Sequence, residues 1–359
     1  MKNARTISIG EAVDQLDRFD AILDARSPSE YAEDHIPGAT STPVLDDAER
    51  ARVGTMHKQL GAFEAKRVGA AIVSRNIAAI LEGPLAEAPR NWRPLIYCWR
   101  GGNRSGALAT VLARIGWQAA VIEGGYREFR RQVIADLAVL PAPLRFLVIA
   151  GRTGSGKSLL LERLAERGAQ VLDLEALACH RGSVLGQMPG RSQPSQKAYE
   201  TLLWARLRRF DPLRPVFVES ESRKVGQCQV PEQLIHAIRA SECIVLDTPD
   251  AVRSALLLRD YSHFVASPER LASRLDALIP LHGRAVVERW MGAANTGMWD
   301  EFVVSLLHEH YDPAYDRSMR RNFARLDQAG RVSLDGADTA ALDRAASALL
   351  ELAADPGCA

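Results

Sequence analysis

At 359 residues, 47% of them hydrophobic and 25% charged, the chain is too long for one ordinary core and reads as two globular domains. The N-terminal MKNARTISIGEAVDQL has neither a long apolar run nor a small-residue cleavage site, and no stretch approaches the ~18 apolar residues of a membrane helix, so a cytoplasmic enzyme without membrane association is expected. Five cysteines without a CxxC pair or a Cys/His cluster argue against a disulfide framework and a structural zinc site; the net charge of +1 gives no global pull toward nucleic acid, although only 6 of the 45 basic residues are lysine.

Taken in chain order, Ala21 to Asp24 and Pro94 to Tyr97 are short apolar runs ending in polar turns, and Ser105 to Ile115 is an amphipathic helix leading to a strand over Ala119 to Ile122. This alternation predicts a parallel sheet wrapped by helices. Asp46 to Glu82 is mostly helical by pattern and long for a connection, so it is expected to carry something specific to this protein. Cys98 follows a strand and precedes a helix start, where loop amides and the positive helix end face the sulfur. Arg100 and Arg104 add full charges, and Gly101 with Gly102 lets the loop curl; a thiol in that field ionises more easily. The plainer alternative is a small buried hydrophobe.

After the helical Arg127 to Leu140, the pair Pro141 and Pro143 marks a linker, which sets the domains at 1–140 and 141–359. The strand Leu144 to Ala150 then runs into Gly151, Arg152, Thr153, Gly154, Ser155, Gly156, Lys157 and Ser158, ahead of a helix over Leu159 to Arg167. This is the G-x-x-x-x-G-K-[ST] phosphate loop in its required context. Its amides surround phosphate oxygens, Lys157 neutralises them and Ser158 can sit on a magnesium ion. The ligand stays open among a nucleotide, the diphosphate of a prenyl donor and a tRNA phosphate.

Further strands are expected at Gln170 to Asp173, Pro215 to Glu219 and Cys243 to Asp247, with a mainly helical region after Asp260. That describes a second doubly wound α/β unit with a helical C-terminal part. Glu219 and Asp247, at strand ends, are candidate metal partners, against the plain reading of strand-end carboxylates. Two loops at the carboxyl ends of strands are candidate substrate sites: His180, Arg181 and Ser183 in one, Glu219 to Lys224 with Arg223 in the other. Gln193 and Gln196 could read a base edge. Arg317, Arg320, Arg321 and Arg325 fall at helical spacing beside YDPAY, whose tyrosines could stack on bases; Arg127, Arg130 and Arg131 form a smaller basic group.

The segments AILDARSPSEYAEDHIPGATSTP and VIEGGYREF, together with the cysteine loop, resemble the rhodanese family over most of residues 1 to 136. Asp24 stands where that family has its strand-end aspartate, and His35 to Ala39 form its His-Ile-Pro-Gly-Ala turn. Beyond the phosphate loop, YCWRGGNRSG, GRTGSGKS, DLEALACHRGSVLG, QPSQKAYE, VFVESESRKVG and HYDPAYDRS together resemble the ordered motif set of tRNA 2-selenouridine synthases up to about Arg320; Asn103 departs from the apolar residue expected there.

The resemblance implies a rhodanese-like domain followed by a P-loop NTPase-like domain. It also implies replacement of sulfur by selenium at C2 of wobble 2-thiouridine in the tRNA anticodon arm. Selenophosphate would be the donor, geranyl diphosphate a co-substrate and S-geranyl-2-thiouridine the intermediate. No tightly bound cofactor is expected. On that reading Cys98, Arg100 and Arg104 serve the selenium step, the phosphate loop holds a diphosphate or a tRNA phosphate, Arg317, Arg320 and Arg321 contact tRNA, against the plain reading of a solvated face, and the helix around Val68 to Ile80 offers an apolar wall for the geranyl chain, against the preferred reading of core packing. A small-molecule sulfurtransferase fused to a kinase or NTPase would explain the two modules, as would a sensor with a regulatory anion clamp; neither explains the motifs after the phosphate loop.

Overall fold

A computed structural model of the chain describes residues 3–354 other than 184 and 189, with the side chains of 263 and 268 also outside the description; Cys358 lies beyond it. The chain forms two units: Met1–Leu137 with Pro194–Ala205, and Ala138–Gln193 with Arg206–Ala359. The first seam thus falls just before the proline pair. A second excursion, Pro194–Ala205, joins the first unit from within the stretch that the linker alone assigns to the second domain.

In the first unit five short strands, β1 (Arg5–Ile7), β2 (Ala21–Asp24), β3 (Ala39–Ser41), β4 (Pro94–Tyr97) and β5 (Ala120–Ile122), make one parallel sheet in the order β1-β5-β4-β2-β3. All of β4 is buried, as a strand covered on both faces requires. The helix Asn103–Ile115 lays Leu108, Ala109 and Leu112 on the sheet, one stripe at helical spacing.

The helical stretch expected between Asp46 and Glu82 is two helices, Asp47–Gln59 and Ala62–Glu82. The first starts on a reciprocal cap between Asp46 and Glu49. The second buries Ile72, Ile77 and Ile80, and Ile77 and Ile80 pack in the same core as Trp92, Ile96 and Leu108. That packing uses up the apolar wall anticipated for a geranyl chain around Val68 to Ile80.

The second unit has β6 (Phe146–Ala150), β7 (Gln170–Leu172), β8 (Val216–Glu219), a small antiparallel pair β9 (Lys224–Val225) and β10 (Cys228–Gln229), then β11 (Glu242–Asp247) and β12 (Gly330–Ser333). Its main sheet is parallel, in the order β12-β11-β6-β8-β7. β12 lies in the region read as helical; four residues, GRVS, carry too little apolar pattern to announce an edge strand. The helices Lys157–Glu166 and Thr339–Ala354 share one core through Leu160, Leu161, Leu164, Ala345 and Leu349. A separate helical core forms around Leu275, Trp290, Phe302 and Leu306. Among the described residues no helix is long and apolar enough to cross a membrane.

Candidate functional site

In the first unit, the loop between β4 and the helix Asn103–Ile115 holds Cys98 almost fully buried. The Ser105 hydroxyl donates to Cys98 Sγ at 3.2 Å. Burial pushes the thiol up, but the Ser105 hydroxyl, the Ser105 and Gly102 amides and the Arg104 guanidinium outweigh it and bring the thiol below its ordinary value. The helix begins at Asn103, two residues earlier than the sequence suggested, which is what aims those amides at the sulfur.

Two glycines that the sequence pattern did not single out brace this loop. Gly124 and Gly125 both have positive φ, and a Cβ on Gly125 would stand 2.2 Å from the Cys98 carbonyl oxygen. Without it, the Tyr126 amide donates to that oxygen at 2.8 Å and the Arg127 amide to Trp99 O at 3.1 Å. Of the two loop arginines, Arg100 is exposed, whereas Arg104 donates to Glu30 at 2.6 Å and holds it as a carboxylate. Arg104 therefore reaches the thiol as a paired cation.

Behind the loop lies a buried polar lattice. Arg26, without solvent exposure, grips Asp24 through two nitrogens, donates to Asp34 O at 2.6 Å and lies over the Tyr126 ring at 3.9 Å. The Asp34 carboxylate accepts from Tyr126 at 2.7 Å and from Thr201 at 3.0 Å; burial still raises its pKa above the usual aspartate range. Arg130 is nine-tenths buried in the same lattice, bonding Thr201, Lys197 O and Glu200, and Arg127 and Arg131 both reach Glu128. Arg130 is thus built into the unit, whereas Arg127 and Arg131 stay exposed on the surface, each paired with Glu128. His35 stacks on Tyr31 with centroids 4.0 Å apart. Gln196 donates to Glu200 at 2.9 Å within this unit.

In the second unit the phosphate loop joins β6 to the helix Lys157–Glu166. Gly154 and Gly156 take positive φ, and a Cβ on them would meet Leu257 at 2.7 Å and Leu334 at 2.8 Å. Both glycines are thus required by conformation and by packing. Lys157 folds back onto the Gly151 carbonyl and lies 5.7 Å from the Tyr315 ring; burial lowers its pKa. Arg152 makes two bonds to Asp316, at 3.2 and 2.8 Å, which raises its pKa. The buried Arg253 holds the Thr153 carbonyl at 3.0 Å and is fixed by Asp312. Ser155 is buried with its hydroxyl unpartnered, and its carbonyl accepts from Thr248 at 3.0 Å.

The loop opens on a cleft of about 900 Å³ whose walls include Asp173, Glu175, Arg181, Gly182, Ser183 and Glu221. Ser158 donates to Glu175 at 3.2 Å, and the Glu175 amide donates to Glu219 Oε1 at 2.9 Å. The other Glu219 oxygen is buried without a partner. Burial, and then the like charge of Glu221, push the Glu175 carboxyl up to about 8; burial and the Asp173, Glu175 and Glu221 carboxylates push Glu219 well above its usual range. A Cβ on Gly182 would lie 2.6 Å from Glu221 Oε1 and 2.8 Å from Glu175 Oε1, so the His180 turn reaches this acidic floor only because that residue is glycine.

The remaining expected residues divide. Arg181 donates to Asp260 O at 3.1 Å over the Tyr261 ring, and Ser183 lies 3.4 Å from the Tyr261 hydroxyl, both on the cleft. His180, whose pKa is lowered by burial, pairs in an isolated bridge with Gln187. Gln193 spends its amide inside the fold: Nε2 donates to Ala178 O at 3.0 Å and Val225 O at 3.1 Å, while Oε1 accepts from Gln227 N at 2.8 Å. That satisfies its donors and leaves it a staple rather than a reader of base edges. Arg223 and Lys224 are exposed at the β9 hairpin.

Asp247 pairs with Arg331 at 2.6 Å on the surface, away from a metal role. Arg317, Arg320 and Arg321 are exposed on the helix Asp312–Asn322, but Arg325 falls past its end and pairs with Glu242. The tyrosines of YDPAY turn inward: Tyr315 OH accepts from the Gly151 amide at 2.7 Å and lies 3.0 Å from Ser220 Oγ, and Tyr311 lines the cleft. They support the phosphate loop instead of offering open stacking faces.

Residues 8–132 match the family model of the rhodanese-like domain, and residues 144–276 that of the tRNA 2-selenouridine synthase AAA domain. The chain is 36% identical over 263 residues to the tRNA 2-selenouridine synthase of Nitrosomonas europaea, covering 72% of this chain and 67% of that one. It is 38% identical over 245 residues to that of Aeromonas salmonicida, covering 67% and 65%. Identity to that of Alcanivorax borkumensis is 31% over 349 residues, covering 88% of this chain and 92% of that one. The first two matches thus span about two thirds of those relatives, and the third nearly all of its length.

Proposed function

The chain belongs to the tRNA 2-selenouridine synthase family, and from that premise we propose that it replaces sulfur by selenium at C2 of the wobble 2-thiouridine of tRNA in the cytoplasm, using geranyl diphosphate and then selenophosphate. The observation that supports this reading best is the presence in one chain of a thiol held below its ordinary pKa and of an anion cradle with a half-buried lysine on an open cleft. Two chemically different steps need those two devices.

In the first step the thiocarbonyl sulfur attacks C1 of geranyl diphosphate, the C–O bond breaks, diphosphate departs and the N3 proton is lost to solvent. The amides of Gly154 to Ser158 and Lys157 take up the charge of the leaving diphosphate. Mg²⁺ fits the floor of this cleft, because Glu219 keeps one buried oxygen unpartnered and Glu175 faces Ser158. Ser158 and these carboxylates would hold it, and diphosphate oxygens and water would complete the shell, since no group of three metal-binding side chains occurs among the described residues. The ion would supply charge neutralisation.

In the second step selenium of selenophosphate attacks C2, the C–S bond breaks, geranylthiolate leaves and takes a proton, and water cleaves the P–Se bond. Selenium enters and leaves at one oxidation level. A selenium atom carried on Cys98 would need an oxidant and then a reductant, so Cys98 with Arg100 and Arg104 is better suited to placing selenophosphate against the base. Arg317, Arg320 and Arg321, exposed on one helix, supply tRNA phosphate contacts.

The test is incubation with thiolated tRNA and both donors, omitting each in turn, with the wobble nucleoside read by mass. S-geranyl-2-thiouridine should accumulate without selenophosphate. Selenouridine formed at full rate without geranyl diphosphate would overturn the proposed order.

A further inference from the structure

Next to the phosphate cleft the second unit holds a space of opposite chemistry. A pocket of about 60 Å³ is lined almost wholly by carbon, from Leu257, Leu258, Phe264, Leu271, Phe302 and Leu306 among others. Its wall lacks the convergent polar groups that fix a nucleobase.

Three observations connect this pocket to the anion cradle. Thr153, Ser183, Leu257, Tyr261 and Tyr311 line both the pocket and the cleft, so the two have a common rim, and Thr153 is itself part of the phosphate loop. The hydroxyls of Ser183 and Tyr261, 3.4 Å apart, stand on that rim where polar surface gives way to apolar. The wall is also formed by a π-helical turn, Leu307–Tyr311, whose two end residues both face the pocket. Such turns widen a helix locally and recur at functional sites. An anion cradle and a carbon-lined pocket on one rim select a ligand with a phosphorylated head and a hydrocarbon tail.

We propose that this pocket receives the tail of the prenyl diphosphate and sets the chain length that the enzyme accepts. The inference rests on the reading that the phosphate loop holds the diphosphate head. It takes the tail away from the helix Ala62–Glu82 of the first unit, whose Ile77 and Ile80 already form core. It also gives a purpose to the helices beyond Asp276, where the match to the AAA-domain model ends.

Two half-buried lining positions allow a test without emptying the core: Leu258→Trp to fill the pocket and Trp299→Ala to enlarge it. Calorimetry of the full chain with inorganic pyrophosphate, and with dimethylallyl, geranyl and farnesyl diphosphates, separates head from tail; mass analysis of prenylated thiouridine gives the product. Leu258→Trp should weaken geranyl diphosphate at least tenfold, shift preference toward dimethylallyl diphosphate and leave pyrophosphate within twofold of the parent. Trp299→Ala should raise the use of farnesyl diphosphate severalfold. If pyrophosphate binds but both variants keep the parent's chain-length preference, the pocket assignment is overturned while the phosphate-loop reading stands. If the parent binds no pyrophosphate, with or without Mg²⁺, that reading falls and the inference with it. Should Leu258→Trp not fold, the farnesyl result for Trp299→Ala decides alone.

Discussion

The cysteine loop after β4 and the phosphate loop after β6 share a plan of buried parallel strand, glycine-bearing turn and helix start, yet they treat charge in opposite ways. In the first, donors converge on one sulfur, and the nearest guanidinium already has its carboxylate in Glu30, so the group that ionises more readily is the thiol. In the second, Lys157 faces Glu175, Glu221 and Glu219, and burial with their like charges holds Glu175 and Glu219 toward their neutral forms. A helix N-terminus therefore does not set ionisation by itself; the sign of the buried neighbours does. One loop is prepared for an ionised nucleophile or anchor, the other for an anion that arrives with its own charge.

Reciprocal loss of function is the most direct way to break this contrast. Cys98→Ala should lower selenation at least about a thousandfold while geranylation of the same tRNA stays within about twofold. Lys157→Ala should lower geranylation about a hundredfold or more, because a cradle without its cation loses most of its hold on a diphosphate. Selenation of tRNA already geranylated should then survive Lys157→Ala. Equal damage to both steps by either variant would mean that the loops do not divide the chemistry.

The next largest effect concerns the brace. Gly125→Ala forces a Cβ to 2.2 Å from the Cys98 carbonyl oxygen and 2.5 Å from the Gly101 amide nitrogen, at a φ of +62°. Strain and overlap together should cost on the order of 2–4 kcal/mol. Thermal unfolding should show the transition of the first unit about 6–12 °C lower. The exposed Gly10, with nothing within 4 Å of its Cβ position, is the control and should move by less than about 2 °C.

Both loops were legible in the sequence because each is contiguous: β4-CWRGG-helix and β6-GRTGSGKS-helix carry their chemistry within a dozen residues. The strands that position them were legible too, since apolar runs such as FLVIA and PLIY are buried on both faces. What stayed hidden is what the fold assembles from distant positions. Arg253 and Asp312 fix the Thr153 carbonyl, Tyr315 caps the Gly151 amide, and Gly182 admits the Glu175 and Glu221 carboxylates. Asp312, Tyr315 and Gly182 lie within motifs quoted above, but nothing local in those motifs tells which distant atom each one meets. Gln193 misled for the complementary reason: an amide in a polar turn looks available until the carbonyls of Ala178 and Val225 come to meet it. The return of Pro194–Ala205 to the first unit likewise has no mark in composition.

Ser105→Ala sharpens the contrast from the thiol side. Loss of one hydrogen bond to the ionised form should raise the Cys98 pKa by about one unit, since such a bond is worth about 1.5 kcal/mol. Below that pKa, the rate of alkylation by iodoacetamide should fall about tenfold, with its pH midpoint displaced upward. Ser105→Cys, which keeps a weak donor, should fall between. An unchanged pH–rate curve would assign the depressed thiol to the backbone amides alone.

The smallest effect comes from the acids of the phosphate cleft, and its sign is opposite. Glu175, raised by burial and by Glu221 to about 8, keeps its proton in the folded state where the unfolded chain, near 4.5, has lost it. Its contribution to stability is therefore fully present below about pH 4.5 and is lost as pH rises through about 8. The same proton removes a negative charge from the cleft, so pyrophosphate should bind more tightly below pH 8 and weaken about threefold to tenfold between pH 7 and 9, beyond what titration of the ligand itself produces. Glu175→Gln holds the site neutral throughout and isolates that excess: its affinity should track the ligand's own ionisation alone. Mg²⁺ should compress the difference, because a cation at Ser158 and Glu175 would favour the carboxylate that the empty cleft disfavours. If wild type and Glu175→Gln follow the same pH curve without the metal, Glu175 is ionised in the free protein, and the two loops differ less in their charge than in their shape.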